Sequence, residues 1–266
     1  MKIAVLGTGN MGRAIIGGLF RKFEDNITVS AFDLLRTAMN DLGGNVKVNE
    51  PEHWADQDAI IVSVKPADLP AAAEMLKGHY KNHQNSPLLI SVAAGITTEN
   101  IRNQIGQTAR VCRVMPNTPA LIGEGMSACC FTENCSEKDR DLAVEIFSAC
   151  GKVTVLAECY MDAATGLSGS GPAYVYAFIE ALAEGGVTAG LPFSVALESA
   201  VQTVIGAAKM VEQENEHPSV LKSRVMSPGG TTANGALALE KGKFKHSVMS
   251  AVLQAAKRAR ELSGLE

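Results

Sequence analysis

The sequence predicts an α/β fold in two parts, a doubly wound sheet domain over residues 1–157 and an all-α domain over residues 158–266. Three observations carry this reading. Short β-branched runs alternate with amphipathic stretches through the first half, a glycine-rich turn follows the first of those runs, and the strand signal stops near Glu158. A chain of 266 residues is too long for one small core and suits one medium domain with a smaller one.

Strands are expected at 3–6, 27–31, 59–64 and 88–92, each bounded by Gly, Pro, Asp or Asn in the manner of buried parallel strands. Helices are expected at 11–20, 36–42, 67–76 and 98–105, and the alternation implies right-handed crossovers between parallel strands. Further strands read at 110–114, 126–131 and 153–156, with a helix at 137–149. Beyond these, Tyr174, Ala177, Phe178, Ala181, Leu182 and Gly185 fall at helical spacing. So do Val201, Val204, Ile205 and Ala208, and then Phe244, Val248, Val252, Ala255 and Leu262. Pro172 and Pro192 suit first turns, and Gly185-Gly186 and Gly190 suit helix ends. This part is rich in small residues that let helices approach closely. Its apolar stripes serve either a core within the chain or a second copy of it.

The apolar fraction of 46% with 20% charged residues is that of an ordinary globular protein. A net charge of −4, with Lys and Arg scattered, offers no basic field to nucleic acid. No apolar run approaches the roughly eighteen residues that a membrane span needs, and Ile3-Ala4-Val5-Leu6 is too short for the core of a signal peptide. A cytoplasmic protein without a membrane partner is the expectation. Cys112, Cys129, Cys130, Cys135, Cys150 and Cys159 include no C-x-x-C pair and read as reduced, packing thiols.

Gly7-Thr8-Gly9-Asn10-Met11-Gly12 is a G-x-G-x-x-G motif placed between a strand and a helix, the context that gives it meaning. Gly7 permits the tight turn, Gly9 lets backbone approach a pyrophosphate, and Gly12 packs helix on strand. The amides that open the helix then face the phosphates, so a nicotinamide dinucleotide is the expected cofactor. Asp33, about twenty residues beyond Gly12, stands where a carboxylate accepts hydrogen bonds from a ribose, which favours NADH; it also suits a helix cap, and both roles stay open. Arg36, one turn further, is placed to pair with a 2′-phosphate, so NADPH stands beside NADH. Val64-Lys65-Pro66 ends another strand at the same edge, with Lys65 facing either a phosphate or water. Ala93-Ala94-Gly95 leaves room for a planar ring against the backbone.

Arg113-Val114-Met115-Pro116-Asn117-Thr118-Pro119-Ala120 forms a rigid polar turn of a kind that positions groups for a ligand. Two hydroxyl- and glycine-rich helix entrances follow, Ser168-Gly169-Ser170-Gly171-Pro172-Ala173-Tyr174 and Ser227-Pro228-Gly229-Gly230-Thr231-Thr232. Each offers free amides to a small carboxylate or is simply a capping turn. His79 and His83 lie four apart without a carboxylate or Cys beside them, and no metal site is expected.

Taken in order, these motifs resemble the pyrroline-5-carboxylate reductase family over nearly the whole chain, the last two entrances being the most specific. The resemblance implies an N-terminal Rossmann domain, a C-terminal helical dimerisation domain, and a site shared across a homodimer that builds further into a decamer. It implies an NADPH- or NADH-dependent oxidoreductase of proline biosynthesis, which reduces the C=N bond of 1-pyrroline-5-carboxylate to give L-proline. By position it assigns Thr232 to the substrate nitrogen as the catalytic hydroxyl, and Gly229, Gly230 and Thr231 to the substrate carboxylate. Glu158 and Ser170 become further substrate neighbours. The cofactor set becomes Gly7, Thr8, Gly9, Asn10, Met11, Gly12, Asp33, Asn49, Val64, Lys65, Pro66, Ala93, Ala94, Gly95 and Asn117.

The chain departs from the family in two places. Arg224 stands where some members place an Asn near the cofactor, so no contact is assigned to it. The segment 32–36 lacks the Ser- or Asn-containing turn that many relatives place around the adenosine 2′ group. Two other readings are a β-hydroxyacid dehydrogenase, for which the 168–174 entrance lacks the expected lysine, and a nicotinamide-binding regulator without catalysis.

Overall fold

The computed structural model describes residues 1–40, 42–43, 45–80 and 86–264. The first half builds β1 (Lys2–Leu6), α1 (Asn10–Phe23), β2 (Thr28–Phe32), β3 (Val46–Val48), β4 (Ala59–Val62), α2 (Leu69–Tyr80), β5 (Leu88–Ser91) and α3 (Thr98–Ile105). Then come β6 (Val111–Met115), β7 (Gly125–Phe131), α4 (Glu137–Phe147), β8 (Gly151–Val155) and the short α5 (Met161–Ala164). Five helices follow: α6 (Gly171–Thr188), α7 (Phe193–Glu214), α8 (Pro218–Arg224), α9 (Thr231–Lys241) and α10 (Phe244–Ser263).

The strands form one sheet in the order β3-β2-β1-β4-β5-β6-β7-β8. Alternation along the strands divides the core between its two faces. Ile3, Val5, Ile61 and Ile90 pack with Ile15, Ile16 and Leu19 of α1 and with Ile146 and Phe147 of α4. Ala4, Leu6, Ile60 and Leu89 pack on the other face with Leu69 and Leu76 of α2 and Ile101 and Ile105 of α3. Burial on both faces is why these runs are continuously apolar. The strand order reverses between β1 and β4, and the chain leaving their carboxyl ends forms the crevice where doubly wound folds bind ligands.

Three features differ from the sequence reading. The expected helix at 36–42 is a 3-10 turn, Arg36–Met39, within the described residues. β3 was not anticipated: it is short, lies at the sheet edge and exposes Lys47. β7 runs antiparallel to β6, because the turn Thr118–Ile122 between them is too short for the dozen or so residues of a parallel crossover.

Contacts divide the chain into two compact units, Met1–Ser170 with the segment from Leu253 onward, and Gly171–Val252. Residues 158–170 stay with the sheet because Met161 is wholly buried against Ala128 and Cys130 of β7. In the second unit α6 and α7 approach closely through small residues; a Cβ on Gly186 would lie 3.0 Å from that of Ala196. The rings of Phe178 and Phe244 meet at a tilt of 41° with their centroids 5.6 Å apart. The apolar side chains Phe193, Leu197, Val201 and Ile205, spaced four apart on one face of α7, are nevertheless exposed.

Candidate active site

The glycine-rich turn shows why each glycine stands where it does. Gly7 has φ +94°, and a Cβ there would lie 2.5 Å from the Ser63 carbonyl oxygen. At Gly12 a Cβ would lie 2.2 Å from the Gly7 carbonyl oxygen, so α1 could not start so close to β1. Gly9 differs: a Cβ there meets no atom of the chain within 4 Å. The fold itself makes no demand on Gly9, while close approach of a pyrophosphate to the backbone does. Gly9 caps α1, whose first turn carries no acidic residue, and Asn10, Met11 and Gly12 supply its first amides. These residues fit a dinucleotide.

Asp33 turns inward on this loop. Its Oδ2 accepts from the Thr8 amide at 2.7 Å and lies 3.3 Å from the Thr8 hydroxyl oxygen, and its Oδ1 accepts from the Leu35 amide at 2.9 Å. The last bond is an Asx turn. Thr8, wholly buried, also donates from Oγ1 to the Ala38 carbonyl. Gly7, Gly9, Asp33, Val64 and Lys65 line a common cleft of about 340 Å³ with Leu34, Leu35 and Met75. Lys65 is exposed at its rim, and Pro66 starts a 3-10 turn that leads into α2. Asn49 accepts from Nε1 of the buried Trp54 at 2.8 Å, which fixes its amide plane.

Ala93, Ala94 and Gly95 form the turn after β5, with Gly95 at φ +73°. The carboxylate of Glu158 holds the helix that this turn enters, accepting from the Thr98 amide at 2.7 Å and from its hydroxyl at 2.5 Å. Arg113, buried on β6, lies 3.3 Å from Glu158 and 3.5 Å from Asp162. Glu158 therefore ties α3 to β6 and also lines a second, larger cleft of about 880 Å³ with Asn100, Cys159 and Arg260. The charged trio of Arg113, Glu158 and Asp162 does not follow from the sequence, which points to Arg113 only as the start of a polar turn and to Glu158 only through the family resemblance.

Asn117 uses both ends of its amide within the chain: Oδ1 accepts from the Met126 amide at 2.9 Å, and Nδ2 donates to the Ser168 carbonyl at 3.0 Å. That carbonyl belongs to a π-helical turn, Thr165–Gly169, which ends at Ser170. A Cβ on Gly169 would lie 2.6 Å from Met115 Cε, so the polar turn that begins at Arg113 and the helix entrance at 168–174 pack on one another.

In the second unit, Gly229 (φ +67°) and Gly230 shape the entrance to α9, with Gly230 as its cap. A Cβ on Gly230 would lie 2.2 Å from Ser227 Oγ. Thr231 and Thr232 are exposed in the first turn, which holds no acidic residue. Asn234, which the sequence reading passed over, donates from Nδ2 to the Gly230 carbonyl at 3.0 Å and steadies the loop.

Burial pushes the Cys130 thiol up to about 12, with the Glu158 charge adding to it, and pushes Cys150 up to about 11. Neither is a thiolate near neutral pH. No group of three metal-ligating side chains occurs among the described residues. His79 is buried with Nε2 2.7 Å from the Pro51 carbonyl oxygen, and His83 lies outside the described residues.

A family model described as pyrroline-5-carboxylate reductase dimerisation matches residues 158–262, and one described as NADP oxidoreductase, coenzyme F420-dependent, matches residues 2–95. The pyrroline-5-carboxylate reductase of Arabidopsis thaliana is 43% identical, over 98% of this chain and 95% of its own. The solved structure of a Coxiella burnetii pyrroline-5-carboxylate reductase superposes with a TM-score of 0.89 at 33% identity, covering 98% of both chains. That of the Plasmodium falciparum pyrroline carboxylate reductase, solved with NADP bound, gives 0.85 at 32% identity, covering 99% of this chain and 98% of its own. With identity of this order over almost its whole length, the chain belongs to the pyrroline-5-carboxylate reductase family.

Proposed function

We propose that this chain is an NAD(P)H-dependent reductase that converts 1-pyrroline-5-carboxylate into L-proline. In the chain itself the reading is carried by the α9 entrance, where a glycine cap, two exposed threonines and no acidic residue leave the first amides to an anion. Membership of the family and the dinucleotide turn before α1 support it.

The nicotinamide cofactor supplies a hydride when bound. The chain holds it with the backbone of residues 7–12 and the positive end of α1, with Asp33 and Asn49 toward the adenosine, and with Val64, Lys65 and Pro66 along the cleft wall. Ala93, Ala94 and Gly95 give a flat ring a surface without side chains, and Asn117 braces the neighbouring turn. Gly229, Gly230 and Thr231 hold the substrate carboxylate through backbone amides, with Ser170 and Glu158 as further neighbours. Thr232 donates its hydroxyl hydrogen to the ring nitrogen or accepts one from it, and so orients the C=N bond. A hydroxyl is a weak acid near neutral pH, so the proton that completes the amine arrives with a protonated imine, and the work of the chain is orientation.

The model described as dimerisation supports self-association; we take the assembly to be a homodimer that extends to a decamer. No helix among the described residues is long and apolar enough to cross a membrane. The reading adds a cytoplasmic setting and no nucleic-acid partner. A β-hydroxyacid dehydrogenase would need a lysine in the 168–174 entrance, where there is none.

The test is Thr232→Ala. Losing one hydrogen bond to a charged nitrogen, worth about 1.5–3 kcal/mol, should lower kcat/KM for the imine by about ten- to a hundredfold while cofactor affinity holds. Thr232→Ser should keep much of the activity. Full kcat/KM in the alanine variant, or a defect confined to its melting temperature, would overturn the assignment.

A further inference from the structure

Beyond the carboxyl ends of β2 and β3, Arg36 and Glu50 form an ion pair that the mechanism above does not use. β2 and β3 are parallel, with Ala31 beside Val48, so both strands deliver their next residues to one edge of the sheet. Asp33 and Arg36 follow β2; Glu50 follows β3. Asp33 is engaged with Thr8 and Leu35, as described above. Arg36 instead lies over the Phe32 ring, its guanidinium carbon 5.1 Å from the centroid, and its Nη2 meets Glu50 Oε1 at 2.6 Å. Both side chains are accessible, Arg36 at 63% and Glu50 at 42%.

In doubly wound folds a basic side chain just beyond the acidic residue after β2 is the one that meets a 2′-phosphate. Arg36 is that side chain here, resting on Phe32 and already paired with a carboxylate. An arriving 2′-phosphate must share or displace Glu50, whereas NADH, which carries a hydroxyl at that position, meets no such competition. From this we infer that Glu50 is a specificity-determining residue that acts through Arg36: by occupying the guanidinium it reduces the advantage of NADPH and keeps both reduced nucleotides usable. This rests on the reading of the chain as a nicotinamide-dependent reductase. An exposed ion pair is weak, so the competition is mild and adjusts a ratio of affinities rather than excluding either nucleotide.

The experiment measures the Kd of NADPH and of NADH by calorimetry on the full chain, and kcat/KM with each, for four proteins: unmodified, Glu50→Gln, Arg36→Ala, and the double variant. Glu50→Gln keeps the side-chain shape and removes the charge. It should tighten NADPH by about fivefold, the factor set by the upper strength of an exposed ion pair, and leave NADH unchanged. Arg36→Ala should weaken NADPH alone. In the Arg36→Ala background Glu50→Gln should have no effect on the ratio. A ratio unmoved by Glu50→Gln overturns the inference, as does a ratio that falls, which would make Glu50 a support for phosphate binding. An equal gain in the double variant also overturns it, because Glu50 would then repel the phosphate directly. NADH binding and turnover report that each variant is folded. If the unmodified chain binds neither nucleotide, the reductase reading itself fails; if it binds both and only the ratio stays fixed, the inference about Glu50 fails alone.

Discussion

Ile15, Ile16 and Leu19 of α1 are wholly buried, whereas Phe193, Leu197, Val201 and Ile205 of α7 stand exposed at the same helical spacing. In the sheet unit both faces of the sheet are covered within the chain: α1 and α4 close one face, and α2 and α3 close the other. In the helical unit α6 and α7 bury mainly Ala183, Ala196 and Ala200, and their larger side chains look outward. The same periodic signal in sequence thus has two meanings. One unit covers its sheet with its own helices, and the other presents a row of exposed apolar side chains of the kind found at association faces. This accords with the match of residues 158–262 to a model described as dimerisation.

The comparison can be broken most forcefully in the sheet unit. Ile15→Ala leaves a cavity under the sheet and should cost about 2–5 kcal/mol of unfolding free energy. Denaturant melts should show that loss equally at every protein concentration; a loss that shrinks as concentration rises would mean that α1 depends on the partner copy. A smaller effect is expected from Ile205→Glu. This change leaves the chain's own core intact and sets a charge in the apolar stripe of α7, so helical content should persist while self-association weakens by about ten- to a hundredfold. Analytical ultracentrifugation checks it, and unchanged self-association would remove that stripe from the association face.

Legibility follows the same division. Gly7 and Gly12 could be assigned from sequence because the strand-turn-helix context demands them, Gly7 through its positive φ and Gly12 through its closeness to the Gly7 carbonyl. The approach of Ser63 to Gly7, by contrast, is visible only in the fold. The strands could be assigned because both their faces are buried. β3 was missed because three residues at an edge, with Lys47 exposed, leave almost no pattern. Residues 36–39 carried a helical pattern but tightened into a 3-10 turn beside the Asx turn of Asp33. The antiparallel β7 follows from the brevity of the turn after Met115, which the apolar runs alone do not reveal. The Arg113, Glu158 and Asp162 trio and the Arg36–Glu50 pair join residues far apart in sequence, so only the folded chain brings them together. In the candidate site, glycines and hydroxyls announced themselves at helix entrances. Asn234, an ordinary helical asparagine in sequence, gained its part only through the carbonyls that it reaches.

In the proposed reaction this chain directs a hydride from a reduced nicotinamide onto the carbon of a ring C=N bond. It is tested most directly by supplying 1-pyrroline-5-carboxylate with cofactor carrying deuterium at the transferable position of nicotinamide C4, and locating the label by mass spectrometry and NMR. The account predicts L-proline with deuterium on the ring carbon that was double-bonded to nitrogen, formed in step with oxidation of the cofactor. Cofactor oxidation without labelled proline, or proline labelled only from solvent, would contradict it.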